Sequence, residues 1–275
     1  MPVMIDERTP AQVVEAAHPN QWQKLVHRFA TIGSTMDAAR TLVADGAPHG
    51  SVVLAEQQAA GRGRGGRVWA SPPGNLHATF ILRPGGSPQH APQLAFVVAV
   101  AVARAVDALA GPPTALKWPN DVMRDGAKLA GILLERLDDD AVLAGIGMNV
   151  RHHPPGMPYP VTSLAALGCD TTPESVLAAI QRALQGEWTI WRDHGFARMR
   201  ERWLERGPAI GTILRVQLGP DTIEGAFAGL RDDGALLLQT PTGRRAIVAG
   251  DVQPIVAGDV QPCATPPDVA KTSAC

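Results

Sequence analysis

Residues 61–73 can form neither a helix nor a regular strand, and the rest of the chain must fold around that fact. Gly61-Arg62-Gly63-Arg64-Gly65-Gly66-Arg67-Val68-Trp69 interleaves three arginines with four glycines, and Ala70-Ser71-Pro72-Pro73 follows. Glycine is costly in a helix or strand interior but takes positive φ and lets a backbone approach a ligand closely. Proline closes off any helix that tried to start there. Arginine adds a fixed cationic fork that matches phosphate and carboxylate oxygens. The segment reads as a loop that folds over an anionic ligand, although a Gly/Arg stretch alone can equally be a solvated surface loop.

Two better-known anion loops can be tested against it. Gly61, Gly63 and Gly66 satisfy the G-x-G-x-x-G spacing of dinucleotide sites. That motif also needs a helix opening on the loop and an acid about twenty residues later. Here Pro72-Pro73 blocks the helix, and the acid position falls among Arg83-Pro84-Gly85-Gly86. A P-loop fails too, since no Gly-Lys-Ser/Thr triplet occurs.

The 275 residues allow about two domains. A net charge of −1 argues against a protein that coats nucleic acid electrostatically. The longest uncharged apolar run, Leu94 to Ala103, is too short to span a bilayer, and Met1-Pro2-Val3-Met4-Ile5-Asp6 has no signal-peptide character. The expected compartment is the cytoplasm. Cys169, Cys263 and Cys275 suggest neither zinc nor a disulfide framework, and the His152-His153 doublet runs into Pro154-Pro155, a poor chelating geometry. No resident metal is expected.

Ser34-Thr35-Met36-Asp37 has the form of a loose capping box, with Ala38, Ala39, Leu42 and Val43 at helical spacing and Gly46 as a stop. Strands are predicted at Ser51–Ala55 and Leu76–Leu82, an apolar helix at Gln93–Leu109, then strands at Ala115–Trp118, Lys128–Leu137 and Ala141–Val150. Asp125-Gly126 signals a hairpin turn and Asp138-Asp139-Asp140 a weaker break. Helices are predicted at Pro173–Gly186 and Ala197–Glu205. From Gly211 onward short strands at Ile213–Leu218, Ile223–Leu230, Ala235–Thr240 and Arg245–Val248 suggest a small β-barrel, with a boundary near Gly207-Pro208. The octapeptide Ile247–Pro254 recurs unchanged at Ile255–Pro262. The first copy is the expected native strand, because it continues the hairpin from Thr242-Gly243. The second copy and the tail Cys263–Cys275 are expected to be dispensable and without fixed structure.

Three further segments could carry chemistry. Lys117-Trp118-Pro119-Asn120-Asp121 offers a cation, an amide and a carboxylate on a turn stiffened by proline, or is simply a turn over a buried tryptophan. Lys128 opens the apolar strand that contains Gly131, and Gly145-Ile146-Gly147-Met148-Asn149-Val150 repeats the glycine interruption next door. Glycine inside a strand marks close approach by a ligand or another backbone.

Taken together, Ser34-Thr35, Gln58 through Arg67, Lys117–Val122, Lys128–Leu133 and Gly145–Val150 closely resemble the biotin protein ligase family, in order and spacing, over about Phe29 to Val252. The resemblance implies an α+β fold: a class II synthetase-like mixed sheet with flanking helices over residues 1–207, an SH3-like barrel over 208–254, and the repeat and tail over 255–275. It implies that biotin and MgATP give biotinyl-5′-AMP, whose acyl group passes to one lysine of a biotin carboxyl carrier protein of acetyl-CoA carboxylase or a related biotin-dependent carboxylase. Lys128, Arg64 and Asp121 would be catalytic, with Asp121 either a base or an orienting group. Ser34, Thr35, Met36, Gln58, Arg62, Gly63, Arg64, Trp69, Lys128, Gly131 and Gly147 would bind biotin. Arg62, Arg64, Lys117, Asn120, Lys128 and Asn149 would bind nucleotide, with Mg2+ carried by ATP rather than by a protein site.

Met36 departs from the asparagine that family members often carry after Ser-Thr, so a side-chain amide bond is lost there. Some relatives carry an N-terminal DNA-binding domain; about thirty residues precede the matched region here, too few for one, so no nucleic acid partner is expected. No membrane partner is expected, and a homodimer is compatible with the reading. A lipoate-type carrier ligase of the same fold and a non-catalytic biotin-binding or regulatory module are the alternatives.

Overall fold

The computed structural model describes residues 12–14, 25–85, 90–137 and 141–254. The first six residues, the Asp138-Asp139-Asp140 break, the second octapeptide copy and the tail with Cys263 and Cys275 lie outside the described residues.

An eight-stranded mixed sheet forms the larger layer. Its strands are β1 (Gln12–Val14), β2 (Val26–Ile32), β3 (Val52–Gln58), β4 (Leu76–Leu82), β5 (Ala115–Lys117), β6 (Asp121–Arg124), β7 (Ala127–Arg136) and β8 (Val142–Met148). They lie in the order β1-β2-β3-β4-β8-β7-β6-β5. Among the described strands only β2 and β3 run parallel, joined by helix α1 (Thr35–Ala44). That crossover is the step at which a helix is required between neighbouring strands. Met36, Ala39 and Val43 pack α1 against Val53, Ile81 and Leu143 on one face of the sheet. The other face is covered by α2 (His90–Ala110) and α3 (Pro173–Leu204), which meet Leu76, Phe80, Leu129, Ile132 and Ile146. Glu187 on α3 is 1% exposed and is held by Arg104 at 2.7 Å and by Arg202 at 2.7 and 2.8 Å, so its buried charge is compensated.

Among the described residues α2 is the one helix long and apolar enough to cross a membrane. In the fold Leu94, Val97, Val98, Ala101, Val102 and Val106 are fully buried against the sheet and α3, so its apolar length serves the core.

The second sheet is antiparallel and barrel-like: β9 (Ile213–Leu218), β10 (Asp221–Leu230), β11 (Leu236–Thr240), β12 (Gly243–Ile247) and β13 (Asp251–Pro254), in the order β12-β11-β10-β9-β13. Leu214, Val216, Phe227, Leu236, Leu238 and Val252 fill it. The first octapeptide copy supplies the end of β12 and all of β13, which pairs with β9. Trp118 Nε1 donates to the Gly234 carbonyl at 3.1 Å, pinning the Lys-Trp-Pro-Asn-Asp turn to this sheet.

Two sequence expectations need correcting. The hairpin at Asp125-Gly126, where both residues have positive φ (50° and 76°), joins β7 to β6, a strand not anticipated, rather than to Ala115–Trp118. Pro119 hid β6, because a proline two residues before a strand reads as a break. The helical region is also continuous through Gly186. It breaks instead at Gly195 (φ 71°, ψ −174°), a conformation open to glycine.

Candidate active site

The residues singled out from the sequence converge on a cavity of about 760 Å³ on the α1 side of the sheet, bounded by the Gly/Arg loop and by the second sheet. Six basic side chains line it (Arg62, Arg64, Arg67, Lys117, Lys128 and Arg206) against the carboxylates Asp121 and Asp251. That surplus of positive charge suits a polyanionic ligand.

The loop folds back on itself. Gly63 N donates to Arg67 O at 2.7 Å, Trp69 N donates to Gly61 O at 2.9 Å, and Arg62 and Val68 form an isolated bridge. Gly65 (φ 64°) and Gly66 (φ 73°) make the tip, a turn that L side chains seldom adopt. Each arginine is anchored differently. Arg62 makes two bonds to Asp37 on α1, at 2.8 and 2.6 Å, and these hold the Asp37 carboxyl below its ordinary range. Arg64 donates to Asn120 Oδ1 at 3.2 Å and to Gly250 O at 3.3 Å, and Arg67 reaches Asp251 at 3.0 Å. The loop thus bridges α1, the Lys-Trp-Pro-Asn-Asp turn and the β12–β13 turn.

Gly131 and Gly147 are cross-strand partners on β7 and β8. Without side chains they leave a bare floor on the sheet, open to the close approach expected from the sequence. The structure lays Trp69 on that floor. A β-carbon on Gly147 would stand 2.5 Å from Trp69 Nε1, and one on Gly131 3.2 Å from Trp69 Cζ3. The glycines therefore make room for the indole, which becomes a wall of the cavity. Gly145 does the same for Met36, whose Sδ would meet a β-carbon there at 2.8 Å.

At the cavity's polar end, Gln58 Oε1 accepts from Thr35 N at 2.9 Å and from Thr35 Oγ1 at 3.0 Å, while Gln58 Nε2 donates to Ser71 Oγ at 2.9 Å. Ser34 Oγ caps α1 by accepting from Met36 N. The box is left open, because Asp37 turns to Arg62 rather than back to the cap.

Lys128 stands at a β-bulge, where the register between β6 and β7 shifts. Bulges re-aim a side chain, here into the cavity. Its backbone is held by residues 160 and 162, with Lys128 N donating to Pro160 O and Lys128 O accepting from Thr162 N. Its Nζ is 2.7 Å from Asp121 Oδ1, 5.7 Å from the Trp69 ring centroid and 5.9 Å from that of Tyr159. Burial pushes the Lys117 ammonium below its ordinary value, against the pull of Asp121.

Asn149 is placed apart from the others. It is buried, its Nδ2 donates to Thr162 O at 2.9 Å, and it does not line the cavity. Asp37, Asp251 and Tyr159 were not anticipated. The last was the most legible of them, as the only tyrosine in the chain. His153 Nδ1 lies 3.1 Å from Ser163 Oγ, and among the described residues no cluster of three or more metal-ligating side chains forms.

Residues 29–151 match the Biotin/lipoate A/B protein ligase family, and residues 209–260 match the Biotin protein ligase C terminal domain. The chain is 40% identical over 213 residues, covering 73% of it and 88% of its relative, to the biotin–[acetyl-CoA-carboxylase] ligase of Paracoccus denitrificans. Its fold is similar to that of the biotin protein ligase from Aquifex aeolicus in complex with biotin and ATP (TM-score 0.73, 27% identity, 84% of this chain and 98% of that one). It is also similar to the Leishmania major enzyme in complex with biotinyl-5-AMP (TM-score 0.59, 26% identity, 84% and 100%). With both of its sheets matched and a close relative covered almost end to end, the chain belongs to the biotin protein ligase family.

Proposed function

We propose that the chain activates biotin with MgATP as biotinyl-5′-AMP and transfers the acyl group to a lysine of a biotin carboxyl carrier protein. The observation that carries this reading is the convergence of a cationic loop, the Lys128–Asp121 pair and the Trp69 wall on one cavity.

In the first step the biotin carboxylate attacks the α-phosphate and pyrophosphate leaves. Two anions must approach, so fixed positive charge is the main requirement. Lys128 is the nearest buried ammonium to the wall and faces the reacting oxygens, with Arg62 and Arg64 closing over them from the loop. Lys117 and Asn120 hold the nucleotide from the opposite side. Mg2+ would come with ATP and would shield its phosphates; the cavity's own carboxylates, Asp121 and Asp251, are already paired with Lys128 and Arg67. Ser34, Thr35 and Gln58 meet the polar ureido edge of biotin, and Trp69 with Met36 meets its apolar rings.

The product is a mixed anhydride that water destroys, so the loop has to stay shut until the carrier arrives. In the second step the carrier lysine amine attacks the acyl carbonyl and AMP departs. Asp121 serves as the orienting partner of Lys128, given their 2.7 Å contact.

Incubation with MgATP, biotin and apo carrier domain should label the carrier, with pyrophosphate released before transfer. Labelling by lipoate in preference to biotin would move the chain to the lipoate-type reading. Biotin binding without pyrophosphate release would make it a binding module.

A further inference from the structure

β4 carries a residue that the reaction above leaves unused. His77 is 1% exposed, and its Nε2 lies 3.2 Å from the carbonyl oxygen of Pro72. A carbonyl can only accept, so Nε2 carries the proton and Nδ1 presents a bare lone pair. Burial lowers the pKa of the ring and keeps it neutral. Nδ1 is buried without a partner among the described residues.

Across the sheet, His77 is paired with Gly147. Directly opposed residues project to the same face, with β-carbons about 4.5–5.5 Å apart. On that face lies the Trp69 indole, its Nε1 2.5 Å from where a Gly147 β-carbon would be. Among the described residues that N–H is also buried without a partner. An unpaired donor and an unpaired acceptor, each rare in a folded protein, therefore flank the same glycine. The chain between them is already strapped: Ser71 Oγ donates to Trp69 O at 3.2 Å, and Gln58 Nε2 donates to Ser71 Oγ.

We propose that His77 is a positioning residue for the Trp69 wall. Its Nε2–H ties down Pro72, and its Nδ1 accepts from Trp69 Nε1–H through one water. A single neutral imidazole thus fixes both the backbone and the ring plane of the wall. The proposal rests on Trp69 walling the biotin site, as argued above.

The test uses the full chain labelled with 15N at histidine and indole nitrogens. The wild-type spectrum should show His77 as the Nε2–H tautomer, and the Trp69 indole resonance (assigned by its loss in Trp69→Phe) should move in His77→Phe. The KM for biotin should rise about fivefold in His77→Phe, the worth of one hydrogen bond, while the KM for ATP and kcat hold. His77→Asn, whose amide oxygen falls near Nδ1, should recover much of that loss. In a Trp69→Phe background His77→Phe should add less than about twofold, as coupled neighbours do. An Nδ1–H tautomer, an unmoved indole resonance or full additivity would overturn the proposal, and the wild-type tautomer decides even if His77→Phe fails to fold. A shifted indole with an unchanged KM for biotin would support the brace and instead remove Trp69 from the biotin site.

Discussion

Lys128 Nζ stands 2.7 Å from Asp121 Oδ1 across the β6–β7 hairpin, with both side chains more than four-fifths buried. Bound this way, the Lys128 side chain is held in one place, as a group that steadies charge on a transferring phosphoryl group must be. Lys128→Ala is expected to cut adenylate formation, followed by biotin-dependent pyrophosphate exchange, by about a hundredfold or more. Far-UV circular dichroism should stay native, though the variant melts earlier because Asp121 loses its partner. Asp121→Asn separates the two roles open to that carboxylate. As an orienting group its loss slows the first step; a defect confined to transfer from preformed biotinyl-5′-AMP would show that Asp121 acts as a base.

The loop's three arginines differ in how firmly they are held. The Arg62–Asp37 pair is 40% and 49% exposed, and such surface pairs contribute about 1 kcal/mol or less, so this contact can open for substrate entry. Arg64 is more enclosed and touches both Asn120 and the β12–β13 turn. Arg64→Gly should therefore release biotinyl-5′-AMP faster, seen as a raised off-rate and biotin appearing on lysines of bystander proteins. Asp251→Ala, which removes the partner of Arg67 and a longer, 3.9 Å contact of Arg64, should show the same effect more weakly. Clean labelling and an unchanged off-rate in Arg64→Gly would remove it from the residues that hold the loop shut.

Gly147→Ala tests the wall from beneath. The added methyl would lie 2.5 Å from Trp69 Nε1, so the indole must leave the sheet, while β8 itself tolerates alanine as a strand residue. The KM for biotin should rise by about tenfold or more, a loss of the size expected when a positioning surface moves by about an ångström. Trp69→Ala combined with Gly147→Ala should be no worse than Trp69→Ala alone. A double variant much worse than either single one would show that biotin, not the indole, rests on Gly147.

Much of this site was legible because its chemistry is concentrated in short segments. The Gly/Arg loop, Lys117–Asp121 and Lys128–Gly131 each carry their functional groups within a few residues, and the helix cap at Ser34 follows from local rules. What stayed hidden was long-range. Asp37 looked like part of a capping box, and only the fold shows it facing Arg62, twenty-five residues away. Asp251 sat inside a repeat that drew attention as a duplication rather than as the partner of Arg67. Asn149 was carried along with a motif whose glycines face the cavity, but β8 ends at Met148, and beyond the strand its amide turns to the Thr162 carbonyl. The glycine floor was recognised as a close approach, yet nothing local said that the approaching group was Trp69.

Acid sensitivity follows from histidines held neutral in the core. Burial, aided by the Arg83 guanidinium, lowers His49 to about 4, and burial also lowers His77 and His27. In the unfolded chain these rings protonate near the ordinary value of about 6.5. Between that value and the lowered one the unfolded state binds more protons than the native state. Stability is therefore fully present above about pH 6.5 and is lost as the pH falls toward 4. For His49 alone the span corresponds to about 3 kcal/mol at most. Its Nδ1 accepts from Arg83 N at 3.0 Å, a bond that an asparagine side chain can replace without a titrating group. Urea unfolding should show the wild-type protein losing several kcal/mol between pH 7 and about 4.5, a window in which most carboxylates stay ionised. His49→Asn should lose about 2 kcal/mol less over that interval. Parallel losses in the two proteins would mean that His49 does not set the acid limit.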